Sequence, residues 1–241
     1  MQAEWEQLRR AIETAKRIVF LGGAGVSTES GIPDFRSKDG IFEAIRRYGH
    51  PPETLLSHDF FLSHTDTFYR YYRTMLLYPN AKPNAAHAAL AELEHRGKLI
   101  AVVTQNIDGL HQQAGSENVL ELHGSVWRNS CMACGKGFVL NDIINGEGVP
   151  KCGCGGVVKP DVVLYGEMLD DAVVDASIRS IQMADLLIVG GTSLTVYPAA
   201  SLTQYFHGST LALINLSSTP MDNQANIVIH DRVGDVLRAC I

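Results

Sequence analysis

Four groups of residues in this 241-residue chain have the types and spacing that chemistry needs. The first is the run 22–36, GGAGVSTESGIPDFR, which follows the apolar stretch 18–21. A short buried strand that empties into a glycine-rich turn lets the backbone turn tightly and approach a pyrophosphate, whose charge favours a helix N-terminus. Gly23 and Gly25 have the spacing of the first half of a dinucleotide fingerprint, but Thr28 stands where the third glycine belongs. The continuation Pro33-Asp34-Phe35-Arg36 packs charge, ring and guanidinium together, unlike a dehydrogenase loop. A Gly-x-Gly pair alone also suits a plain turn; the whole run is far more specific.

The second group is Cys131-x2-Cys134 with Cys152-x-Cys154, four of the five cysteines. Two close thiol pairs on glycine-bearing turns match a tetrahedral four-cysteine zinc site. Four protein ligands leave no open position, so the expected zinc is structural. Four-cysteine ribbons also occur in nucleic-acid-binding modules, but the nearby cations Arg128, Lys136, Lys151 and Lys159 are few and are balanced by Asp142 and Glu147.

The third group closes the apolar run 99–103: Thr104-Gln105-Asn106-Ile107-Asp108-Gly109-Leu110-His111. Amides and an acid at the end of a buried strand are unfavourable unless something uses them; a capping turn around Asp108 is the plainer alternative. The fourth group is His123-Gly124, after the run 119–122, where an imidazole of near-neutral pKa suits proton transfer. Gly190-Gly191-Thr192-Ser193 could hold phosphate, and Asn215 could hydrogen-bond a ribose. His87, near a helix start, reads as packing or capping. His50, His58, His64, His95, His207 and His230 read as incidental.

These groups need elements to position them. Apolar or β-branched runs at 18–21, 99–104, 119–122, 162–164, 186–189, 211–216 and 227–229 alternate with helical patterns at 4–16, 84–95, 169–184, 198–206 and 233–239. Such alternation implies an α/β, doubly wound parallel sheet with helices on both faces. Ligands of such sheets sit beyond the carboxyl ends of the strands, where the polar groups arrive. Two segments break the pattern. Residues 37–82 are aromatic and helical, with Pro51-Pro52 as a break, and residues 127–158 hold the cysteines. Both read as insertions forming a smaller lobe, a helical insertion and a zinc-ribbon module. The main domain is then 1–36, 83–126 and 159–241.

Hydrophobic residues at 46% and charged residues at 19% are ordinary for a globular chain. A net charge of −6 argues against non-specific binding to nucleic acid or an anionic membrane. No apolar run approaches the roughly 20 residues of a membrane span. The charged amphipathic start does not resemble a signal peptide, and a cytoplasmic location is expected.

Together, 23–36, 104–111, His123-Gly124, the cysteine cluster, KPDVVLYGE at 159–167, GTSLTVYPAA at 191–200 and Asn215 resemble the sirtuin family of NAD-dependent protein deacylases, in family order over almost the whole chain. The resemblance implies a Rossmann-like domain with a smaller lobe. NAD is the implied co-substrate, beside one structural zinc held by Cys131, Cys134, Cys152 and Cys154. Ala24, Gly25 and Thr28 would line the pyrophosphate, and Thr192, Ser193, Asn215 and the backbone near Val233 the adenosine half. Asp34 belongs to the same cofactor set. Phe35, Ile107 and Asp108 would form the nicotinamide pocket, while Arg36, Gln105 and Asn106 orient phosphate and ribose. In the implied reaction the acyl-lysine carbonyl oxygen attacks the anomeric carbon as nicotinamide leaves. His123 then acts as general base on a ribose hydroxyl, with Gln105 and Asn106 in the catalytic set. The products are free lysine, nicotinamide and 2′-O-acyl-ADP-ribose. An acyl-lysine protein or peptide would add as a strand between Val163, Tyr165, Gly166 and Glu167 on one side and the segment ending at Tyr197 on the other.

The chain departs from relatives that prefer succinyl-lysine and carry a Tyr-x-x-Arg pair. Here the aligned run is Tyr69-Arg70-Tyr71-Tyr72, with Arg73 one place late. Neutral acyl groups are therefore expected. ADP-ribosyl transfer to protein, or a non-catalytic NAD-binding or zinc-ribbon module, are the competing readings.

Overall fold

The structure is a computed structural model that describes residues 2–34 and 37–241. In chain order its helices are α1 (Gln2–Thr14), α2 (Lys38–Tyr48), α3 (Pro52–Leu55), α4 (His58–Ser63), α5 (Thr65–Met75), α6 (Ala85–His95), α7 (Leu110–Gln113), α8 (Leu140–Ile144), α9 (Asp171–Met183) and α10 (Val233–Cys240). The strands are β1 (Ile18–Gly22), β2 (Leu99–Thr104), β3 (Val119–Glu121), β4 (Gly124–Cys131), β5 (Gly137–Val139), β6 (Val158–Val162), β7 (Leu186–Gly190), β8 (Thr210–Ile214) and β9 (Ile227–Ile229). No helix among the described residues is long and apolar enough to cross a membrane.

Six parallel strands form the large sheet in the order β3-β2-β1-β7-β8-β9. This is the doubly wound nucleotide-binding order, and the direction in which successive strands are added reverses between β1 and β7. Every residue of β1 and β7 is buried, as continuous Ile/Val/Leu runs in a sheet covered on both faces require. Alternate residues serve opposite faces. Ile18, Phe20 and Ile188 pack with Leu8, Leu90, Leu93, Val236 and Leu237 from α1, α6 and α10. Val19, Leu21, Leu187 and Val189 pack with Ile181 of α9 and with Leu202. Each fully buried side chain of this size contributes about 1.5–3 kcal/mol.

β5, β4 and β6 form a separate antiparallel sheet. Its hydrophobic core is shared with α2–α5: Phe60, Phe61, Phe68, Tyr69, Tyr71 and Tyr72 lie against Val126, Leu140, Ile143, Val158 and Val162. The helical insertion and the ribbon thus form one lobe around one core.

Three expectations need correction. The run 162–164 is not a strand of the parallel sheet; the strand is β6, and it belongs to the small sheet. Its alternating burial at Val158, Pro160 and Val162 suits a half-covered antiparallel strand, and its edge position tolerates the missing N–H of Pro160. β4 went unread because its polar sequence GSVWRNSC carries no apolar run. The stretch 198–206 is a 3-10 helix, Ala199–Tyr205, rather than an α-helix. The aromatic segment is helical as expected, and Pro52 opens α3 at a position that needs no N–H.

Candidate functional site

The loops after β1 and β7 meet at the reversal point. A Cβ on Gly25 would lie 2.8 Å from Gly191 Cα, and one on Gly191, at φ +61°, 2.4 Å from Val26 N. Only bare backbone allows this approach, and Gly25 N–H donates to Gly191 O at 2.8 Å. Short 3-10 turns, Ala24–Val26 and Thr28–Ser30, carry the chain away from β1.

Two adjoining cavities partition the expected residues. One, of about 210 Å³, is lined by Gly25, Thr28, Glu29, Asp34, Gly191, Thr192, Ser193, Asn215 and Val233, among others. The other, of about 230 Å³, brings together Ala24, Ser27, Gln105, Asn106, Ile107, Asp108 and His123 from the large lobe side with Val163, Tyr165, Gly166, Glu167 and Tyr197. Ala24 and Gly25, adjacent in sequence, line different cavities. Phe35 and Arg36 lie outside the described residues.

A polar chain fixes the second cavity's floor. Asn106 Nδ2 donates to Ser27 Oγ at 3.0 Å, and Ser27 Oγ donates to Asp108 Oδ2 at 2.6 Å. Leu110 N–H reaches Asp108 Oδ1 at 2.9 Å, so the capping turn does exist. The turn nevertheless leaves Asp108 in the cavity wall. Burial pushes the Asp108 carboxyl above its usual range, against the pull of Ser27 and the Leu110 N–H. Gln105 Nε2 donates to Thr192 Oγ1 at 3.1 Å, tying the two cavities together.

His123 follows β3, and its Nδ1 lies 2.9 Å from the carbonyl oxygen of Gln105. A carbonyl can only accept, so Nδ1 carries the proton and the neutral ring keeps its lone pair on Nε2. Next to it, Gly124 sits at φ +74°, where a Cβ would be 2.0 Å from Asp161 O. Strand β6 is thereby drawn against the histidine, and Val163 N–H donates to His123 O.

The remaining positions are more constrained than sequence implied. Asn215 gives its side-chain N–H to Thr192 O, bracing the neighbouring loop. Tyr165 has both backbone groups engaged by the helical insertion: its N–H donates to Leu56 O at 3.0 Å and its C=O accepts from His58 N–H at 2.9 Å. Its N–H is thereby committed to the helical insertion. His58 itself is not incidental: its Nδ1 contacts Glu167 Oε1 at 2.8 Å. His87 caps α6 as expected, Nδ1 accepting from Asn84 N–H at 3.2 Å.

Sequence reasoning assigned no role to Ser27, Glu29 or Trp127. Ser27 joins Asn106 to Asp108. Glu29 Oε1 accepts from Gly234 N–H at the start of α10. Trp127 Nε1 donates to Asp108 O at 2.7 Å across the side-chain-free Gly109. The glycine-rich motif flagged the first two as neighbours of the site; nothing in the sequence tied Trp127 to residue 108.

The four cysteine sulfurs lie within 4.8 Å of one another, with Cys131–Cys154 and Cys134–Cys154 at 3.5 Å and Cys134–Cys152 at 3.7 Å. A tetrahedron of Zn–S bonds about 2.3 Å long places sulfurs about 3.8 Å apart, so the set fits zinc. None of the four lines either cavity. Arg73 is turned to the ribbon, donating to Ile143 O at 2.8 Å and Gly148 O at 2.6 Å. Among the described residues the cavity with His123 has no lysine or arginine in its wall.

The Sir2 family model matches residues 23–198. An NAD-dependent protein deacetylase of Clostridium acetobutylicum is 56% identical over 237 residues, 98% of this chain and 97% of its own length. One from Staphylococcus aureus is 43% identical over 240 residues, 99% and 98% respectively. Among solved structures, one concerning the mechanism and regulation of Sir2 enzymes matches with TM-score 0.90 and 37% identity, covering 100% of this chain and 97% of that one. A Sir2 complex with p53 peptide and NAD+ matches with TM-score 0.86 and 37% identity, covering 97% and 95%.

Proposed function

The chain belongs to the Sir2 family, and we propose that it removes acetyl or related neutral acyl groups from protein lysines, consuming NAD and releasing nicotinamide and 2′-O-acyl-ADP-ribose. The observation that carries this reading is the His123 geometry. Its Nδ1–H is pinned to Gln105 O, in the cavity where Asn106 and Asp108 meet the 163–167 loop. A base held in one tautomer next to a sugar-binding floor can take the proton of a ribose hydroxyl. Such positioned bases typically contribute about 10²–10⁴-fold.

The cavity lined by Thr192, Ser193 and Asn215 takes the adenosine half, and Asp108 and Asn106 take the nicotinamide end. Ile107, Val163 and Tyr165 keep water from the reacting carbon. Acyl preference follows from the wall: no described cationic side chain lines it, and Arg73 is spent on Ile143 and Gly148, so a carboxylate-bearing acyl group finds no partner. The four thiolates hold a structural zinc. A cytoplasmic setting, in which the cysteines stay reduced for metal, belongs to the same reading.

Incubation with an acetyl-lysine peptide, with and without NAD, tests it. Nicotinamide release should require the acetyl group, and His123→Ala should lose steady-state formation of acyl-ADP-ribose by at least about 10²-fold. Equal formation of acyl-ADP-ribose by His123→Ala would sink the assignment of the base. ADP-ribosylated protein in place of acyl-ADP-ribose would favour the transferase reading.

A further inference from the structure

The loop 163–167 forms a wall of the cavity that holds His123, and it is anchored from the opposite side. Glu167 is at the centre of that anchor. Its Oε1 meets His58 Nδ1 at 2.8 Å, on the first turn of α4. Its Oε2 accepts from Lys159 Nζ of β6 at 3.1 Å and from Leu164 N–H at 2.9 Å. Lys159 Nζ also donates to Val162 O at 3.0 Å and Pro160 O at 3.3 Å. Main-chain bonds run parallel to this link: Ser57 and Tyr165 form a parallel bridge, flanked by the Leu56 and His58 bonds to Tyr165.

The partners differ in exposure. Lys159 and Glu167 keep only 18% and 19% of their side-chain surface exposed, whereas His58 keeps 40%. Burial works against the ionised Glu167 carboxyl, but the Leu164 N–H, His58 and Lys159 outweigh it and hold the group below the usual carboxylate range. Helix α4 is itself fixed, because Phe60 and Phe61 are buried in the small-lobe core. The histidine therefore connects the loop to a rigid body, and the lysine connects it to β6.

We propose that Glu167 and His58 are positioning residues for the acyl-lysine peptide: their contact locks the 163–167 loop to the helical insertion and so sets the width of the groove opposite Val196 and Tyr197. The inference rests on the deacylase reading and adds to it. It takes the Glu167 side chain out of direct substrate contact and brings His58, which touches no reacting atom, into substrate affinity. The floor formed by Ser27, Asn106 and Asp108 shares no bond with this link, so NAD affinity should not follow it.

The test uses the full chain and a fluorescein-labelled acetyl-lysine peptide, with binding read by anisotropy in the absence of NAD and NAD binding read separately by calorimetry. His58→Ala should weaken peptide binding about five-fold, as expected for losing one half-exposed charge-assisted hydrogen bond. His58→Asn, whose amide nitrogen can stand where Nδ1 stood, should recover most of that loss. Glu167→Gln, which keeps an acceptor for Leu164 but loses the charge facing Lys159, should weaken peptide binding at least as much as His58→Ala. In steady state the same variants should raise KM for peptide more than they lower kcat. Unchanged peptide affinity in His58→Ala would overturn the proposal. So would an equal loss of NAD affinity, or failure of His58→Asn to recover binding, since either marks a general structural defect. A wild type that does not prefer the acetylated over the plain peptide would instead remove the deacylase reading on which the inference stands.

Discussion

The two lobes solve the same problem with different materials. The large lobe buries aliphatic strands on both faces of a six-stranded sheet, with Ile18, Leu21, Val102, Leu187 and Leu213 all inside. The small lobe has a three-stranded sheet and fills its core with rings; Phe61, Phe68, Tyr69, Tyr71 and Tyr72 are all essentially buried. Phe61 and Phe68 meet edge to face at 4.9 Å, and Phe68 stacks on Tyr72. At the far end of the ribbon even this runs out. Cys134 and Cys154 are exposed, and short glycine turns carry no side chains to bury. Hydrophobic burial can hold the first lobe. The tip of the second needs a metal.

Removing the metal should therefore give the largest effect and divide the lobes. Structural zinc sites contribute about 10–16 kcal/mol in isolated zinc-finger peptides. Elemental analysis should find about one zinc per chain in wild type and none in Cys131→Ser, which should also open 127–158 to protease while the parallel sheet keeps its protection from hydrogen exchange. A metal-free variant with a protected ribbon would erase the distinction. Leu21→Ala, fully buried in β1, should cost about 2–5 kcal/mol and lower the denaturation midpoint of the large lobe.

Two buried histidines should make the large lobe sensitive to acid. His87 and His111 meet edge to face at 4.7 Å beneath the nucleotide loops, and burial lowers their pKa values to about 4 and about 3. Because both folded values lie below the ordinary 6.5, the unfolded chain binds more protons between those limits. The stability linked to these histidines is fully present above about pH 6.5 and falls as pH drops towards 4 and 3, by on the order of a few kcal/mol. Protonating His87 Nδ1 would also break its bond from Asn84, whose side chain donates to Val26 O and Ser30 Oγ. His87→Gln should flatten the acid slope of the melting temperature; an unchanged slope would place the titration elsewhere. The smallest effect is reserved for Arg73→Ala. Losing its bonds to Ile143 O and Gly148 O should cost about 1–2 kcal/mol, confined to the small lobe. Denaturant melts followed by Trp127 fluorescence would measure it.

Sequence legibility divides along the same boundary. In the large lobe, β-branched runs and glycine turns speak for themselves, because a buried parallel strand must be continuously apolar. That is why the loops that line both cavities could be located beforehand, although Ser27 and Glu29 within them were given no role. In the small lobe, the cysteines declared a site but not its sheet: β4 is polar along much of its length, and 162–164 looked like one more buried strand. The His58–Glu167 contact spans 109 positions and joins two residues of ordinary type, so no local pattern could reveal it. Asn215 and Tyr165 were found by position, but hydrogen bonds visible only in three dimensions redirect what their polar groups can do.

The most direct test of the central claim follows one oxygen atom. A peptide labelled with ¹⁸O in its acetyl carbonyl should transfer that oxygen to the anomeric carbon of the sugar, so that the acyl-ADP-ribose formed in ordinary water gains two mass units. Label recovered instead in free acetate, with NAD left intact, would contradict the account.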